Sequence, residues 1–383
     1  MKRFTTLAAT VTASLLAMLT SCTPTPPPPA TYTKVATHPQ AAAQTTASGK
    51  RIHDLEVHNG QLIAGYGDYN VNTGPITVNP LTLSSMTFQG GQITVGTEEI
   101  NVLRKINGAL YIPLIDPRTA HDAPTGYATN VSGTWKQEDK VAMVHVYDIA
   151  ERVPGELWMV GAANAVPGVF GGAVAYRSTN GGTTWQLMRH ETDALAANQD
   201  GFERYYWIAA MNGKVYMQAS DVVDAPLRAY DGTTWTTITS PALTANRNTM
   251  CYSATANEVI AYNGTLYCSG FGGDLMTLKN GIVASYDNWL SGGTVQDWHI
   301  GEDGLLYALS SLKGILRTAQ GSLWQNLASA SQPWVETPES IAVHGDRIYL
   351  GGANANIYRS DRTITALAAQ ESFLYLDPAT ATK

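Results

Sequence analysis

The sequence predicts an all-β fold assembled from repeated hairpins, on three observations. The composition favours turns and aromatics, a two-strand phrase recurs along the chain, and a second turn ending in tryptophan alternates with it. Among 383 residues there are 35 Gly, 19 Tyr and 9 Trp, while only 14% are charged. That balance suits strands and turns better than helices. The recurring phrase is an apolar strand, a tight turn and a second apolar strand, as in "IHDLEVHNGQLIAG", "INVLRKINGALYIPL", "YYWIAAMNGKVYMQA" and "NEVIAYNGTLYCSG". Four of the turns are Asn-Gly, at Asn59, Asn107, Asn212 and Asn263. A two-residue hairpin turn needs positive φ at both central positions, and Asn-Gly accepts this at least cost. The second turn residues fall at Gly60, Gly108, Gly155, Gly213, Gly264, Gly304 and Asp346, so six intervals cover 286 residues, about 48 each. Periods of that length belong to propeller blades.

The second series supplies the other half of each unit. "ATNVSGTW", "STNGGTTW", "YDGTTW" and "TAQGSLW" end at Trp135, Trp185, Trp235 and Trp324, with the related "SYDNW" ending at Trp289. Two hairpins per unit make a four-stranded blade, and seven units make a seven-bladed β-propeller whose blades bury their faces against one another. Six or eight blades stay open, because the third unit carries an insertion at "AERVPG" and either "TYTKV" or "ESFLYLD" can complete the last blade. The blades are placed near 51–88, 95–138, 141–190, 203–240, 255–292, 294–329 and 337–369, within a propeller spanning 49–377.

Ser178, Gly182, Thr184 and Trp185 match the pattern Ser-x-Asp-x-Gly-x-Thr-Trp, with Asn180 where the Asp is expected. On these residues the chain resembles the Asp-box, or BNR-repeat, sialidase-like β-propellers. The resemblance implies a turn between the third and fourth strands of a blade, an Asx side chain bonding turn amides, and a tryptophan wedged between blades. It makes Ser178, Asn180, Gly182, Thr184 and Trp185 scaffold residues, on the face opposite the connections between second and third strands. A sialidase-like glycoside hydrolase also needs an arginine triad, a Tyr/Glu nucleophile pair and an Arg-Ile-Pro motif. Arg51-Ile52-His53 lacks the proline and Tyr111-Ile112-Pro113 lacks the arginine.

The first residues read as an export signal. Lys2 and Arg3 precede a mostly apolar run from Phe4 to Met18, and Leu19-Thr20-Ser21-Cys22 follows. That tetrapeptide resembles a bacterial lipobox, which implies cleavage after residue 21, lipidation of Cys22, and an exported protein anchored to the cell membrane or outer membrane, periplasmic or surface-exposed. Residues 22–48, rich in Pro, Thr and Ala, read as a stalk that buries too little to fold alone. The remaining cysteines, Cys251 and Cys268, then meet an oxidising compartment. Strand pairing about Asn263-Gly264 sets Cys268 near Val259, so the sequence leaves their pairing open. Without Lys2 and Arg3 the formal charge of −7 becomes −9, and no basic cluster stands out. Nucleic acid is thereby excluded as a partner.

Candidate binding residues come from the repeat count and from loop length. Seven residues before each marked turn stand His53, Asn101, Asp148, Tyr206, Asn257, Asp297 and Glu339, all polar. Two residues later the series is apolar except for His299. Strand faces alternate with period two, so the polar position is read as the rim where inner strands enter the central channel; polar strand starts are the alternative. The connections between second and third strands are long in the first three units and carry Tyr66, Asp68, Tyr69, His121, Asp122 and Phe170. Aromatic and carboxylate groups over a channel mouth suit a protein or glycan. The run from Asp68 begins like a calcium loop, but Gly74 falls one place late and Asn79 stands where a bidentate Glu is required. No metal, cofactor or catalytic residue is therefore assigned. The reading is a non-enzymatic, lipid-anchored binding module. A glycoside hydrolase, or a scaffold similar to the photosystem-assembly lipoproteins, is the alternative.

Overall fold

The computed structural model describes residues 31–116, 125–163, 172–191, 204–220, 225–246, 248–251, 258–331, 334–369 and 372–382. Seven antiparallel blades, each built on four strands, follow one another along the chain, and the sheet of the sixth carries a fifth strand. Blade one comprises Asp54–His58, Gln61–Gly65, Leu81–Thr82 and Thr87–Phe88; blade two, Arg104–Ile106, Ala109–Pro113, Thr125–Thr129 and Lys136–Val141. Blade three comprises Met143–Val153, Glu156–Ala163, Ala173–Ser178 and Gln186–Glu191; blade four, Ala209–Met211, Lys214–Met217, Leu227–Tyr230 and Trp235–Ile238. Blade five comprises Val259–Tyr262, Thr265–Ser269, Leu275–Lys279 and Ile282–Tyr286; blade six, Val295–Ile300, Leu306–Ser310, Gly314–Thr318 and Leu323–Ala328. Blade seven is Pro338–His344, Arg347–Gly352, Asn356–Ser360 and, from the start of the chain, Tyr32–Thr37.

The predicted hairpins form for the predicted reason. Asn59-Gly60, Asn107-Gly108, Asn212-Gly213 and Asn263-Gly264 all hold positive φ, between 47° and 79°. Each joins the directly paired residues on either side, for example His58 and Gln61. First strands of neighbouring blades touch one another, as Asp54–His58 does Pro338–His344, and so line a central channel. The core lies between blades. One buried cluster joins Tyr127 of blade two to Leu157 of blade three, and another joins Tyr267 of blade five to Trp324 of blade six.

The turn at 178–185 is tied by its own side chains. Ser178 Oγ accepts the Gly182 N–H at 2.9 Å, Asn180 Oδ1 accepts the Thr184 N–H at 2.9 Å, and Trp185 Nε1 donates to Gly182 O at 3.0 Å. Blade six repeats the pattern with Thr318 Oγ1, Gly321 and Trp324. Each tryptophan packs on the preceding blade, Trp185 on Tyr127 and Trp324 on Tyr267. A Cβ on Gly182 or Gly321 would collide with the hydroxyl of that same tyrosine, and both positions hold positive φ, so glycine is required twice over.

Two expectations change, for the stalk and for Trp289, and two open points, the closing strand and the cysteine pairing, are resolved. Tyr32–Thr37 leaves the anticipated stalk and closes blade seven, because the open edge of Asn356–Ser360 pairs with it along its whole length, in an antiparallel register with one bulge at Val35. The competing segment, Ser372–Tyr375, instead adds a fifth strand to blade six beside Leu323–Ala328. Trp289 falls after the fourth strand of blade five, whose outer hairpin turns at Asn280-Gly281. Finally, Cys268 does pair with Val259, yet its sulfur is bonded to Cys251, which approaches from the segment before blade five.

Candidate functional site

Because strands alternate in direction, the turns joining strands one to two and three to four share one face, and inner strands begin on the other. At that second face the channel mouth holds a cavity of about 260 Å³ lined by Ser48, Arg51, His53, Tyr69, Asn70, Glu99, Asn101, Glu258, Gln296 and Glu339. Five blades contribute to it. Four of the predicted residues, His53, Tyr69, Asn101 and Glu339, meet here. His53 Nε2 lies 3.0 Å from Gly67 O, and burial lowers the imidazole pKa below its ordinary value. Arg51 Nη2 donates to Glu339 Oε2 at 2.5 Å. Glu99 accepts the Tyr69 N–H at 3.2 Å and is pushed up to about 7 by burial.

Other predicted residues lie elsewhere. Tyr66 is buried, with its hydroxyl donating to Thr77 O, and so belongs to the core. Asp68 is 5% exposed and holds its own loop, accepting from the Thr46 hydroxyl at 2.8 Å and the Asn70 N–H at 3.1 Å. Asp148 and Asp297, read as rim residues, are turned into the channel wall. Asp148 Oδ2 accepts the Ile208 N–H of the next blade at 2.9 Å, and Asp297 Oδ2 accepts that of Ile341 at 2.7 Å. Asp54 does the same for Leu103 at 2.5 Å, so three blade junctions are stitched by one device. A bulge precedes each predicted aspartate and slips the alternation by one residue. Gln296 takes the mouth position in place of Asp297. Tyr206 joins Tyr147, with ring centroids 4.6 Å apart, and both hydroxyls accept from Arg204. Cys22, His121, Asp122, Phe170 and Asn257 lie outside the described residues.

Deeper in the channel a second cavity, of about 410 Å³, is lined by Asp54, Glu56, Arg104, Lys105, Asp297, His299 and Glu302 among apolar neighbours. Arg104 grips Asp148 through Nε at 2.7 Å and Nη2 at 2.8 Å. Burial pushes Asp54 up to about 7 against the opposing pull of the Leu103 N–H and Arg104. Burial and the charge of Asp54 raise Glu56 to about 8 and lift Asp297 well above the carboxylate range, while burial lowers His299 to about 4. The channel therefore holds partly protonated carboxylates and a neutral imidazole at neutral pH. Among the described residues no group of three His, Cys, Asp or Glu side chains is placed to hold a metal ion. Among the described residues each cavity has one arginine, Arg51 or Arg104, and each is engaged by a carboxylate. Glu99, Tyr147, Asp54 and Arg104 are not singled out by the sequence, and Arg51 enters there only as part of an incomplete Arg-Ile-Pro motif. Nothing local distinguishes Asp54 and Arg104, whose strands, Asp-Leu-Glu-Val-His and Arg-Lys-Ile, carry other charged residues.

Fold and site define a seven-bladed β-propeller with a polar, carboxylate-rich channel. The chain is similar in fold to virginiamycin B lyase from Staphylococcus aureus, at 11% identity and TM-score 0.54 over 86% of this chain and 99% of that one. It is also similar to the β-propeller domain of Cps50 (Swd1) from Myceliophteria thermophila, at 12% identity and TM-score 0.50 over 82% and 97%. YCF48 from Cyanidioschyzon merolae aligns at 12% identity and TM-score 0.48 over 86% and 98%. At these identities the likeness is one of fold alone. No protein-family model matches the sequence, and no curated protein matches it.

Proposed function

We propose that the chain is a non-enzymatic binding protein of the cell envelope, held to a membrane by a lipid on Cys22 and recognising a protein partner at the channel mouth. The observation that carries this reading is the mouth cavity, where segments of five blades converge polar side chains on one concave space. A rigid ring that presents side chains from separate blades suits recognition. The leader, with Lys2 and Arg3, an apolar run and Leu19 to Cys22, supports the anchor. The turns at Ser178 to Trp185 and Thr318 to Trp324 support kinship with Asp-box propellers through their side-chain ties. A glycan ligand is the alternative for the mouth. Glycoside hydrolysis is favoured by one observation, the raised carboxylates of the deeper cavity. The test is capture by the full-length chain of surface-exposed envelope proteins and of glycans, with mass spectrometry of the captured material. An intact protein lost on replacing Asn101 and Glu339 by Ala supports the reading, and a cleaved glycan overturns it. Labelling with a radioactive fatty acid, abolished by Cys22→Ala, tests the anchor.

A further inference from the structure

Two acceptors at the mouth are left unfilled by the fold. Glu99 is 5% exposed, and its carboxylate spends one oxygen on the Tyr69 N–H and has no other hydrogen-bond partner among the described residues, while its backbone oxygen accepts from the Thr97 hydroxyl. Asn101 Oδ1 is buried with no hydrogen-bond partner among the described residues. The two residues are alternate positions of the segment entering blade two, and both line the mouth cavity. A buried acceptor without a donor, such as Asn101 Oδ1, is rare in folded proteins and calls for a partner from outside the fold. Glu258 and Glu339 line the same cavity, and Arg51, the one guanidinium there among the described residues, is already bound to Glu339. The open groups are thus acceptors within a negative surround.

We infer that the mouth cavity takes the ammonium group of a lysine side chain presented by a partner protein, seated between Glu99 and Asn101. The inference rests on the binding reading above and names its ligand chemistry. An ammonium offers three donors and no acceptor, which complements this set, whereas a sugar hydroxyl brings an acceptor of its own to each contact. Burial holds Glu99 up at about 7, and an adjacent cation restores its charge. Tyr69, half-buried at the cavity wall, offers a ring to the aliphatic stem of lysine.

The experiment uses the full-length chain, purified in detergent, on an array of short lysine-containing peptides. Each is printed beside its Nε-acetyl-lysine version, with glycans on the same slide. The expected result is retention of a subset of peptides, weakened about ten-fold or more by acetylation, as loss of a charged hydrogen bond dictates. Asn101→Leu and Glu99→Gln weaken the same peptides comparably. Asn101→Leu melts no lower than the parent, since its acceptor serves no contact of the fold, and this separates binding from folding. Retention indifferent to acetylation overturns the ammonium inference and leaves the binding reading standing. Retention of glycans alone overturns the peptide partner. No retention of either overturns the binding reading itself.

Discussion

Replacing Arg104 by Met tests how the channel is held together. The guanidinium reaches both oxygens of Asp148, which is fully buried and also accepts the Ile208 N–H of the next blade. Met leaves that carboxylate without a countercharge and removes the cation that faces Asp54 and Asp297. With charge centres roughly 4 Å apart and an effective dielectric near 20, the attraction is about 4 kcal/mol. This agrees with the loss of about 3–5 kcal/mol seen when one partner of a buried pair is removed. For a chain of this size, at about 2 °C per kcal/mol, Tm at pH 8 falls by roughly 6–10 °C. The pH dependence carries a sign. Asp54 has its folded pKa raised to about 7, so the stability linked to its proton is fully present below the unfolded carboxylate value and is lost as pH rises through 7. Without Arg104 that pKa rises further, so the part of the deficit that runs through Asp54 grows from pH 4 towards pH 8. Urea denaturation across this range, with the double variant Arg104→Met/Asp148→Asn as control, measures it. A loss under about 1 kcal/mol at pH 8, or a double variant no more stable than the single one, refutes the account.

Three further outcomes follow from the fold. His38 is fully buried against Tyr66 and Phe88 and lowered to about 4 by burial, so the folded state refuses a proton that the unfolded chain accepts near 6.5. Stability present above pH 6.5 therefore declines as pH falls towards 4, by about 3 kcal/mol, and His38→Leu flattens that slope in urea titrations. Gly182→Ala forces a Cβ into the Tyr127 hydroxyl at positive φ and costs about 2 kcal/mol or more, with Tyr127→Phe restoring part of it by calorimetry. Replacing both Cys251 and Cys268 by Ser opens a loop with a sequence separation of 17 and lowers stability by about 3 kcal/mol, read from guanidinium midpoints with and without reductant.

What the sequence disclosed was local chemistry and its period. Asn59, Asn107, Asn212 and Asn263 sit in turns whose dihedrals only a few residue pairs tolerate, so each hairpin announced itself. The same chemistry at Asn280-Gly281 was overlooked because Trp289, a few residues on, imitated the second series. At the mouth, His53, Asn101 and Glu339 followed from counting back along a repeat; His53 and Asn101 precede their strands, and Glu339 stands in a bulge of its own. The count failed at Asp148 and Asp297, where bulges slip the alternation by one residue, and a one-residue slip exchanges the two faces. Glu99 lies ahead of the repeated phrase, and Arg51 is paired with a glutamate 288 positions away, so neither carried a local signal. Closure by Tyr32–Thr37 was equally hidden, since strand pairing across more than 300 residues is settled by which edge remains open.

That closing strand fixes which way the molecule looks. Tyr32 pairs with Ser360 and Thr37 with Asn356, so the chain enters blade seven at the face of the tight turns and runs towards the mouth. Eight residues separate Cys22 from Thr31, a tether of at most about 30 Å when fully drawn out. With Cys22 lipidated as proposed, the turn face is leashed close to the bilayer and the carboxylate-lined mouth opens away from it, towards whatever the membrane meets. A tug on a captured partner would then travel through the ring into the closing strand, making that short antiparallel seam the mechanical latch between anchor and cargo.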